Sequence, residues 1–432
     1  MTKRAWWLVG MNILIPGSAQ IVAGNRKAGR FGLATTLLFW VLVVAAAVVF
    51  ALRRTLLIGL FTNPIALGVL VAVLAFYVAL WIVLTLDTLR LVRLVRVMPA
   101  ARGFVAGLAV VVLAAVTGTA GYAGSNAISA IGLLHQDFSD GSVAPPIDGR
   151  YNILLLGGDA GPDRMGLRPD SISVVSIDAE TGKAVIFGLP RNMEEVPFVQ
   201  GSPMLGPYPD GYDCGDDCLI SYLYTYGEQH PELYPKAVEQ GSQPGIEATR
   251  DAVEGVLGLT LQYYVLIDMQ GFSNLIDALG GIDITVANRL PYGANSFDDG
   301  RHAPPIGYIE KGTQHMDGQT ALWYARSRYA TTDYDRMRRQ REVQEAILKQ
   351  FDPSNVLLKF QAVAAAGGKV VSTDIPQPML GLFIELADKT QKLPIEKVDF
   401  VPPEYNNVHP DLAVIQARVD AATALATPTP AG

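Results

Sequence analysis

Long apolar runs without charged residues dominate the first 124 residues of the chain. Three of these runs, at 31–52, 65–86 and 104–124, contain no acid or base. Each is about 20 residues long, enough for a helix to cross a hydrocarbon core of about 30 Å. A fourth apolar run, 5–24, is interrupted by "IPGSAQ", which predicts an interfacial or re-entrant segment rather than another span. Residues 1–124 therefore form a predicted membrane region, and its further spans argue against a cleavable signal peptide.

The basic residues of this region predict its orientation. Nine Lys and Arg residues lie in the first 30 residues and in the 87–103 loop, whereas only Arg53 and Arg54 follow the first span. Cytoplasmic loops of membrane proteins carry the excess of Lys and Arg. We therefore expect a multi-pass plasma membrane protein whose C-terminal part is extracellular.

Shorter patterns replace the apolar runs after residue 124. Residues 125–149 are polar and contain Pro and Gly, which predicts a stalk. From residue 150, apolar strands alternate with helical patterns, as in an α/β/α sandwich with helices on both faces of a mixed sheet. Expected strands include 171–177, 184–189, 263–268, 282–286 and one near 398–402; expected helices include 245–257, 272–280, 318–323, 333–350, 354–366 and 376–389. We expect a folded outer domain to span 150–405, and the tail 406–432 to be partly disordered.

The membrane region and the rest of the chain also differ in charge. Residues 1–124 hold eleven bases and one acid, Asp87, whereas the rest of the chain holds 40 acids and 23 bases. An acidic outer domain argues against a nucleic-acid partner. Cys214 and Cys218, in "CGDDC", are the two cysteines of the chain. Outside the cell this spacing predicts a small disulfide, and the alternative of a zinc site would need two further ligands.

Six arginines lie in "ARSRYATTDYDRMRRQR", residues 325–341. Arg326 and Arg328 are two apart on a segment predicted to be extended, so their side chains point the same way. The predicted helix that follows carries an inward stripe with helical spacing, made of Asp333, Arg336, Gln340, Val343 and Ile347.

The remaining arginines of this stretch have different predicted positions. Arg338 and Arg341 are expected on the solvent face, where Glu342 and Glu345 lie four residues on. Arg339 lies between the two faces, and Asp335 at i−4 is a candidate partner. The inward arginines need an anion because an unpaired buried guanidinium is costly. Internal carboxylates are one candidate, and phosphate or pyrophosphate, which arginine forks hold bidentately, is the other.

Further Asp and Arg residues lie at predicted strand ends. Asp159 falls in the turn after the first strand, Arg168 and Asp170 open the next strand, and Arg191 follows the strand-ending Pro190. Each has an ordinary structural interpretation as a turn former or an ion-pair partner. Carboxylates beside an arginine cluster also suggest Mg²⁺ bridging protein and phosphates. The sequence contains no G-x-S-x-G, H-E-x-x-H or P-loop signature.

An ordered series of motifs resembles the LytR-CpsA-Psr family over about residues 151–350. The series consists of "NILLLGGDAG", "LRPDSISVVSID", "GLPRN", "YYVLIDMQGFSNLIDALGGIDITV", "MDGQTALWYARSR" and "DYDRMRRQREV". The resemblance implies a phosphotransferase that moves a glycopolymer from a polyprenyl-pyrophosphate donor to peptidoglycan. It also implies a long apolar cavity for the lipid, with arginines at its mouth.

The resemblance carries roles over to particular residues. Asp159 and Asp170 match the carboxylates of a Mg²⁺ site, which Mn²⁺ would also fit, and with Arg191 they are the expected catalytic residues. The pyrophosphate-binding positions match Arg168, Arg191, Arg326, Arg328, Arg336 and Gln340. Asp333 and Arg339 match supporting positions.

Two motifs depart from the family pattern. This chain has "LIS", Leu219 to Ser221, where a basic "KIN" is frequent, and Asn192 where Asp is frequent. Two alternatives stay open at this point. One is a polyprenyl-pyrophosphate hydrolase using the same site, and the other is a non-catalytic membrane receptor or regulator for an anionic envelope polymer.

Overall fold

The structure, a computed structural model, describes residues 2–52, 60, 63–93, 95, 97–137, 143–159, 168–293, 304–329, 331–350 and 371–424. The chain divides into two compact units, Met1–Gly132 and Leu133–Gly432. The predicted helix at 354–366 lies outside the described residues.

The first unit begins with two short helices, α1 Thr2–Leu14 and α2 Ser18–Ala23. They separate where "IPGSAQ" interrupts the apolar run. Gly17 has a φ of +97°, and a Cβ there would lie 2.3 Å from the backbone nitrogen of Leu33, so a glycine permits this close turn. Gln20 donates hydrogen bonds to the carbonyl oxygen of Leu84 at 2.8 Å and to Oγ1 of Thr88 at 2.9 Å. These bonds hold α2 against a later helix; the re-entrant placement stays a prediction.

Three longer helices follow: α3 Arg26–Leu52, α4 Pro64–Val92 and α5 Pro99–Asp137. Each is long and apolar enough to cross a membrane, α5 over Pro99–Gly132. They contain the three predicted spans. The predicted stalk at 125–149 differs from the structure, because α5 continues to Asp137. Residues 125–137 contain no proline, so an established helix propagates through them.

The second unit is an α/β domain. Its strands are β1 Arg150–Asp159, β2 Arg168–Asp178, β3 Ala184–Leu189, β4 Tyr263–Asp268, β5 Ile282–Val286, β6 Leu290–Tyr292, β7 Gly307–Ile309, β8 Gly312–Met316, β9 Val371–Thr373 and β10 Glu396–Asp399. Its helices are α6 Leu223–Gln229, α7 Pro244–Leu257, α8 Met269–Leu279, α9 Gly318–Arg326, α10 Asp333–Gln350, α11 Leu380–Thr390 and α12 Leu412–Thr423. The patterns predicted β3, β4, β5 and α10 with the observed bounds.

Six strands form the central sheet, in the order β10-β3-β2-β1-β4-β9. The pairs β1–β4 and β10–β3 are parallel, and the other neighbours are antiparallel, which confirms the predicted mixed sheet. Alternate residues of the central strands face opposite cores. Phe187 and Leu154 belong to the core that includes residues of α7, whereas Ile186 and Ile153 belong to the core that includes Leu386 of α11.

The domain extends beyond the predicted end at residue 405. Helix α12 buries Ile415, Val419 and Ala422 in the same core as α7. Residues 412–423 are thus part of the folded domain, where this apolar stripe anchors the helix, and the partial disorder of the tail 406–432 stays a prediction. Residues 425–432 lie outside the described part of the chain.

An arginine-rich cavity at the strand ends

Asp170 occupies an irregular position at the start of β2. Strand β1 pairs Gly157 with Ser171 and Gly158 with Pro169, so the register skips Asp170. Such a β-bulge breaks the alternation of side chains and re-aims the extra residue, a device common next to active sites. The backbone of Asp159 ends β1 opposite Arg168, and the side chain of Asp159 lies outside the described residues.

Arg191 links two carboxylates. Pro190 ends β3, and the next residue places its Nη1 2.6 Å from Oδ1 of Asp170 and its Nε 3.5 Å from Oδ2 of Asp333. Asp333 is the first residue of α10. The ion pairs therefore join the end of β3 to the bulge in β2 and to the beginning of α10.

Two further arginines contact the same carboxylates. Arg328 lies 3.8 Å from Asp170 and 3.4 Å from Asp333. Arg336 lies 4.0 Å from Asp170 and 3.0 Å from Asp333, and also donates to the backbone oxygen of Asp170 at 3.3 Å. The side chain of Arg336 is only 3% exposed, whereas that of Arg328 is 43% exposed. Arg336 thus forms a buried floor beneath two more accessible arginines.

The arginines control the ionisation of the carboxylate between them. Burial alone would raise the pKa of Asp170, but Arg191, Arg336 and Arg328 outweigh it and hold that pKa below its ordinary value. Burial lowers the pKa of Arg336 to about 10, although Asp333 opposes this effect. Asp170 is therefore a carboxylate and Arg336 a cation at neutral pH.

A cavity of about 460 Å³ opens over this group. It is lined by Arg168, Asp170, Arg191, Asn192, Leu219, Ser221, Tyr222 and Arg328. The guanidinium carbon of Arg168 lies 4.6 Å above the ring centre of Tyr222, a cation–π arrangement that fixes its direction. Asn192 has a buried Oδ1 without a hydrogen-bond partner in the described part of the chain. The cavity thus presents cationic groups and one carboxylate.

The arginines of residues 325–341 have different positions in the structure. Arg328 and Arg336 both reach the site, and Arg336 does so as its helical spacing predicts. The extended conformation predicted for Arg326 is wrong, because the residue ends helix α9 and its side chain is exposed. Arg326 is not among the residues that line the cavity. The helix cap at Ser327 breaks the expected i, i+2 alternation.

Arg339 supports the site from behind. It is buried and donates to the carbonyl oxygen of Tyr324 at 2.9 Å and to that of Ser327. Its Nη2 also lies 3.3 Å from Oγ1 of Thr331. These contacts bracket the segment that carries Arg328. The role that the structure gives to Arg339 is to position that segment.

Gln340, a predicted pyrophosphate ligand, is partly buried. Its Oε1 is enclosed and has no hydrogen-bond partner among the described residues. Gln340 does not belong to the cavity lining, and a role in binding stays a prediction.

The solvent-exposed position predicted for Arg341 is wrong. Its side chain is 1% exposed, and its Nε lies 3.7 Å from Oδ1 of Asp399 on β10. It also contacts Gln344 at 2.8 Å and Ser171 at 3.3 Å. A Cβ on Gly188 would lie 2.1 Å from Oδ1 of Asp399, so the glycine of β3 makes room for the pair. Arg338, by contrast, is exposed as expected.

Sequence reasoning did not find Tyr222 as part of the site. The only available signal was its position directly after "LIS", the segment that departs from the family pattern. Leu219 and Ser221 of that segment do line the cavity. Cys214 and Cys218 are joined by a disulfide in the loop before it, with their Cα atoms 5.2 Å apart.

The predicted metal site depends on carboxylate donors near the arginines. Among the described residues, no three His, Cys, Asp or Glu side chains group together as metal ligands. Asp170 and Asp333 both form ion pairs with arginines, but the contacts of Asp170 to Arg191, Arg328 and Arg336 all use Oδ1. Metal binding by Asp170 therefore stays a prediction.

Two named proteins are similar in sequence to part of this chain. It is 27% identical over 231 residues to the polyisoprenyl-teichoic acid–peptidoglycan teichoic acid transferase TagU of Bacillus cereus, covering 53% of this chain and 62% of that protein. The protein of the same name from Halalkalibacterium halodurans is 27% identical over 228 residues, covering 52% and 61%. The chain thus spans less than two thirds of the length of these relatives.

Solved structures and a family model also match. The crystal structure of TagV from Bacillus subtilis matches with 22% identity and a TM-score of 0.44, covering 63% of this chain and 96% of that chain. The model of the LytR_cpsA_psr family matches residues 131–424, which is more than half of the chain and includes the whole arginine-rich cavity. The protein belongs to the LytR-CpsA-Psr family.

Proposed function

We propose that this protein transfers a glycopolymer from a polyprenyl-pyrophosphate carrier to peptidoglycan and forms a phosphodiester link. The observation that carries the proposal is the convergence of Arg191, Arg328 and Arg336 on Asp170 and Asp333 at an open cavity. Relatives named as teichoic acid transferases support the reaction type.

The charge of the site suits a pyrophosphate diester. Arg168, Arg191, Arg328 and Arg336 outnumber the two carboxylates Asp170 and Asp333, so these side chains leave an excess of positive charge. A pyrophosphate that carries a lipid at one end and a sugar at the other has two negative charges. Arginine forks would bind its oxygens bidentately. The ion pairs hold the arginines in place before the substrate arrives, so little reorganisation is needed.

The reaction itself is an in-line displacement. A hydroxyl oxygen of the acceptor attacks the glycan-linked phosphorus, the bond from that phosphorus to the bridging oxygen breaks, and polyprenyl phosphate leaves. The hydroxyl proton is released in the same step and passes to the departing phosphate. Arg191 and Arg328 would stabilise the negative charge on the transferring phosphoryl group. The low pKa of Asp170 makes it a weak base, so we assign to it the orientation of Arg191 rather than the removal of the hydroxyl proton.

The proposed reaction uses a divalent ion, Mg²⁺ or Mn²⁺. Asp159 and Asp170 would hold it, and it would neutralise charge on the phosphates. The position of Asp170 in the cavity lining supports this part.

The membrane arrangement is also part of the proposal. The three long apolar helices of the first unit support membrane anchoring. We infer that all three span the plasma membrane and that the α/β domain is extracellular, where peptidoglycan is found. The excess of Lys and Arg on one side of the spans supports this orientation.

A transfer assay tests the proposal. The full chain in lipid nanodiscs would receive a radiolabelled glycan on polyprenyl pyrophosphate, with or without peptidoglycan and with Mg²⁺ or a chelator. We expect label to enter peptidoglycan only with acceptor and metal. Release of glycan phosphate at the same rate without acceptor would instead identify a hydrolase. Tight binding without any turnover would identify a receptor, and turnover unaffected by the chelator would remove the metal from the mechanism.

A further inference from the structure

An aromatic stripe leads away from the arginine-rich cavity. Tyr222, Tyr226 and His230 are four residues apart along the short helix α6 and its caps, so they lie on one face. Tyr208, from the preceding loop, packs beside Tyr226 with ring centres 5.4 Å apart. These four residues are the aromatic stripe.

The rings of the stripe support one another. Tyr226 and His230 stack with ring centres 4.1 Å apart and planes inclined by 20°. The buried Tyr212 lies behind the stripe, in edge contact with Tyr208 at 4.9 Å and with Tyr226 at 6.1 Å. The disulfide between Cys214 and Cys218 closes the loop directly after Tyr212. The stripe is therefore a supported surface rather than a set of independent side chains.

All four side chains of the stripe are partly exposed. One end, Tyr222, lies in the cavity wall under the guanidinium of Arg168. The other end, His230, is eight residues further along a helix, which corresponds to roughly 12 Å. This length suits one or two sugar rings that extend from a phosphate held by the arginines.

The charges beside the stripe differ from those in the cavity. Asp217 lies close enough to Tyr212, and Glu232 to Tyr226, for their charges to oppose ionisation of those phenols. Asp210 and Asp213 of the adjacent loop are exposed. Such a surface disfavours a phosphate-rich segment of polymer. Aromatic rings with neutral hydroxyl groups suit the apolar C–H faces and the hydroxyl groups of a sugar.

We propose that the aromatic stripe is a carbohydrate-binding subsite for the glycan whose phosphate or acceptor hydroxyl reacts in the neighbouring cavity. This inference rests on the proposed function. The sugar belongs either to the donor, next to its pyrophosphate, or to the peptidoglycan acceptor, and the chemistry of recognition is the same for both.

Equilibrium binding to the full chain in nanodiscs tests the subsite with three probes. The first is polyprenyl pyrophosphate without sugar, the second is N-acetylglucosaminyl polyprenyl pyrophosphate, and the third is a soluble peptidoglycan disaccharide. We expect Tyr226→Ala and Tyr208→Ala to raise the Kd of the second or the third probe about tenfold. The Kd of the first probe should be unchanged. The affected probe identifies whether the donor or the acceptor uses the stripe.

Control variants separate ring contacts from folding. Tyr226→Phe keeps the ring and should keep most of the affinity, and Tyr308→Ala removes an exposed tyrosine from β7, outside the stripe. Thermal unfolding of each variant shows whether the fold is retained. An equal loss for all three probes, or no loss for either sugar-containing probe, would overturn the subsite. Failure of the proposed function has a different signature, since wild-type protein would then bind sugar on the stripe without transferring it.

Discussion

Arg191 bridges Asp170 and Asp333, with its Nη1 2.6 Å from one carboxylate and its Nε 3.5 Å from the other. Its side chain is 34% exposed, so it is held from behind and still faces the cavity. An arginine that is fixed in this way needs little rearrangement to bind a phosphoryl group. Arg191 is therefore the residue of the site whose removal tests the mechanism most directly.

We predict that Arg191→Ala lowers the rate of glycan transfer about 100-fold or more, as for the loss of one preorganised charge-stabilising donor. The reason is the loss of stabilisation of charge that develops on the phosphoryl group. Single-turnover transfer with saturating donor measures the effect. Arg338→Ala is the matched control, because Arg338 lies on α10 but is 60% exposed and pairs with Asp335. Near-normal transfer by the Arg191 variant would remove Arg191 from the chemistry.

The sequence predicts site residues correctly where a regular helix or the end of a strand fixes the direction of the side chain. The helical spacing predicts that Asp333 and Arg336 lie on one inward stripe of α10. In the structure, Arg336 lies 4.0 Å from Asp170, and Asp333 lies 3.5 Å from Arg191. The sequence indicates Arg191 as a candidate because it directly follows the proline that ends its strand. In these cases local geometry decides the direction of a side chain.

Three errors have physical causes that a local pattern does not contain. The conformation of Arg326 depends on how far α9 continues before its cap at Ser327. The burial of Arg341 depends on Asp399, which lies 58 positions further along the chain, and on space above Gly188. The extension of the domain past residue 405 depends on the packing of the apolar stripe of α12 into the core that includes α7. Tertiary contacts decide the second and the third of these features.

Arg328 and Arg339 should act as one unit. Arg339 holds the carbonyl oxygens of Tyr324 and Ser327 and therefore the segment that presents Arg328. We predict that Arg328→Ala and Arg339→Ala each weaken binding of polyprenyl pyrophosphate, and that the double variant is hardly weaker than either single one. A coupling free energy of about 1 kcal/mol or more is expected for residues that share contacts.

Titration of the four proteins with the same lipid probe gives this double-mutant cycle. Arg328→Ala combined with the distant Arg338→Ala provides the additive comparison. Additive losses for Arg328 and Arg339 would show that Arg339 acts independently of the phosphate site.

Asp170→Asn should change the pH dependence of stability. The pKa of Asp170 is lowered in the folded protein, so its contribution to stability is present above its ordinary pKa of about 3.9 and is lost as the pH falls through the lower folded value. The variant lacks this carboxylate, so at neutral pH the positive charges of Arg191, Arg328 and Arg336 are less neutralised. Its unfolding temperature should therefore lie below that of the wild type near neutrality.

The two unfolding temperatures should approach each other as the pH falls below about 4. Differential scanning calorimetry of both proteins in the same detergent measures this gap across the acid range. A gap that widens toward low pH would have the wrong sign for a carboxylate stabilised by arginines. Asp388→Asn, which neutralises a carboxylate paired with Lys392 on the surface, controls for general charge effects.

The buried pair of Arg341 and Asp399 predicts a stability effect separate from activity. Burial lowers the pKa of Arg341 to about 10 and raises that of Asp399, so each charge depends on the other. Arg341→Met leaves Asp399 without its partner and should lower the free energy of unfolding by roughly 3–5 kcal/mol. Adding Asp399→Asn removes the isolated charge and should recover much of this loss. Denaturant unfolding of the three proteins tests the pair, and a double variant less stable than Arg341→Met would show that Asp399 is stabilised by other groups.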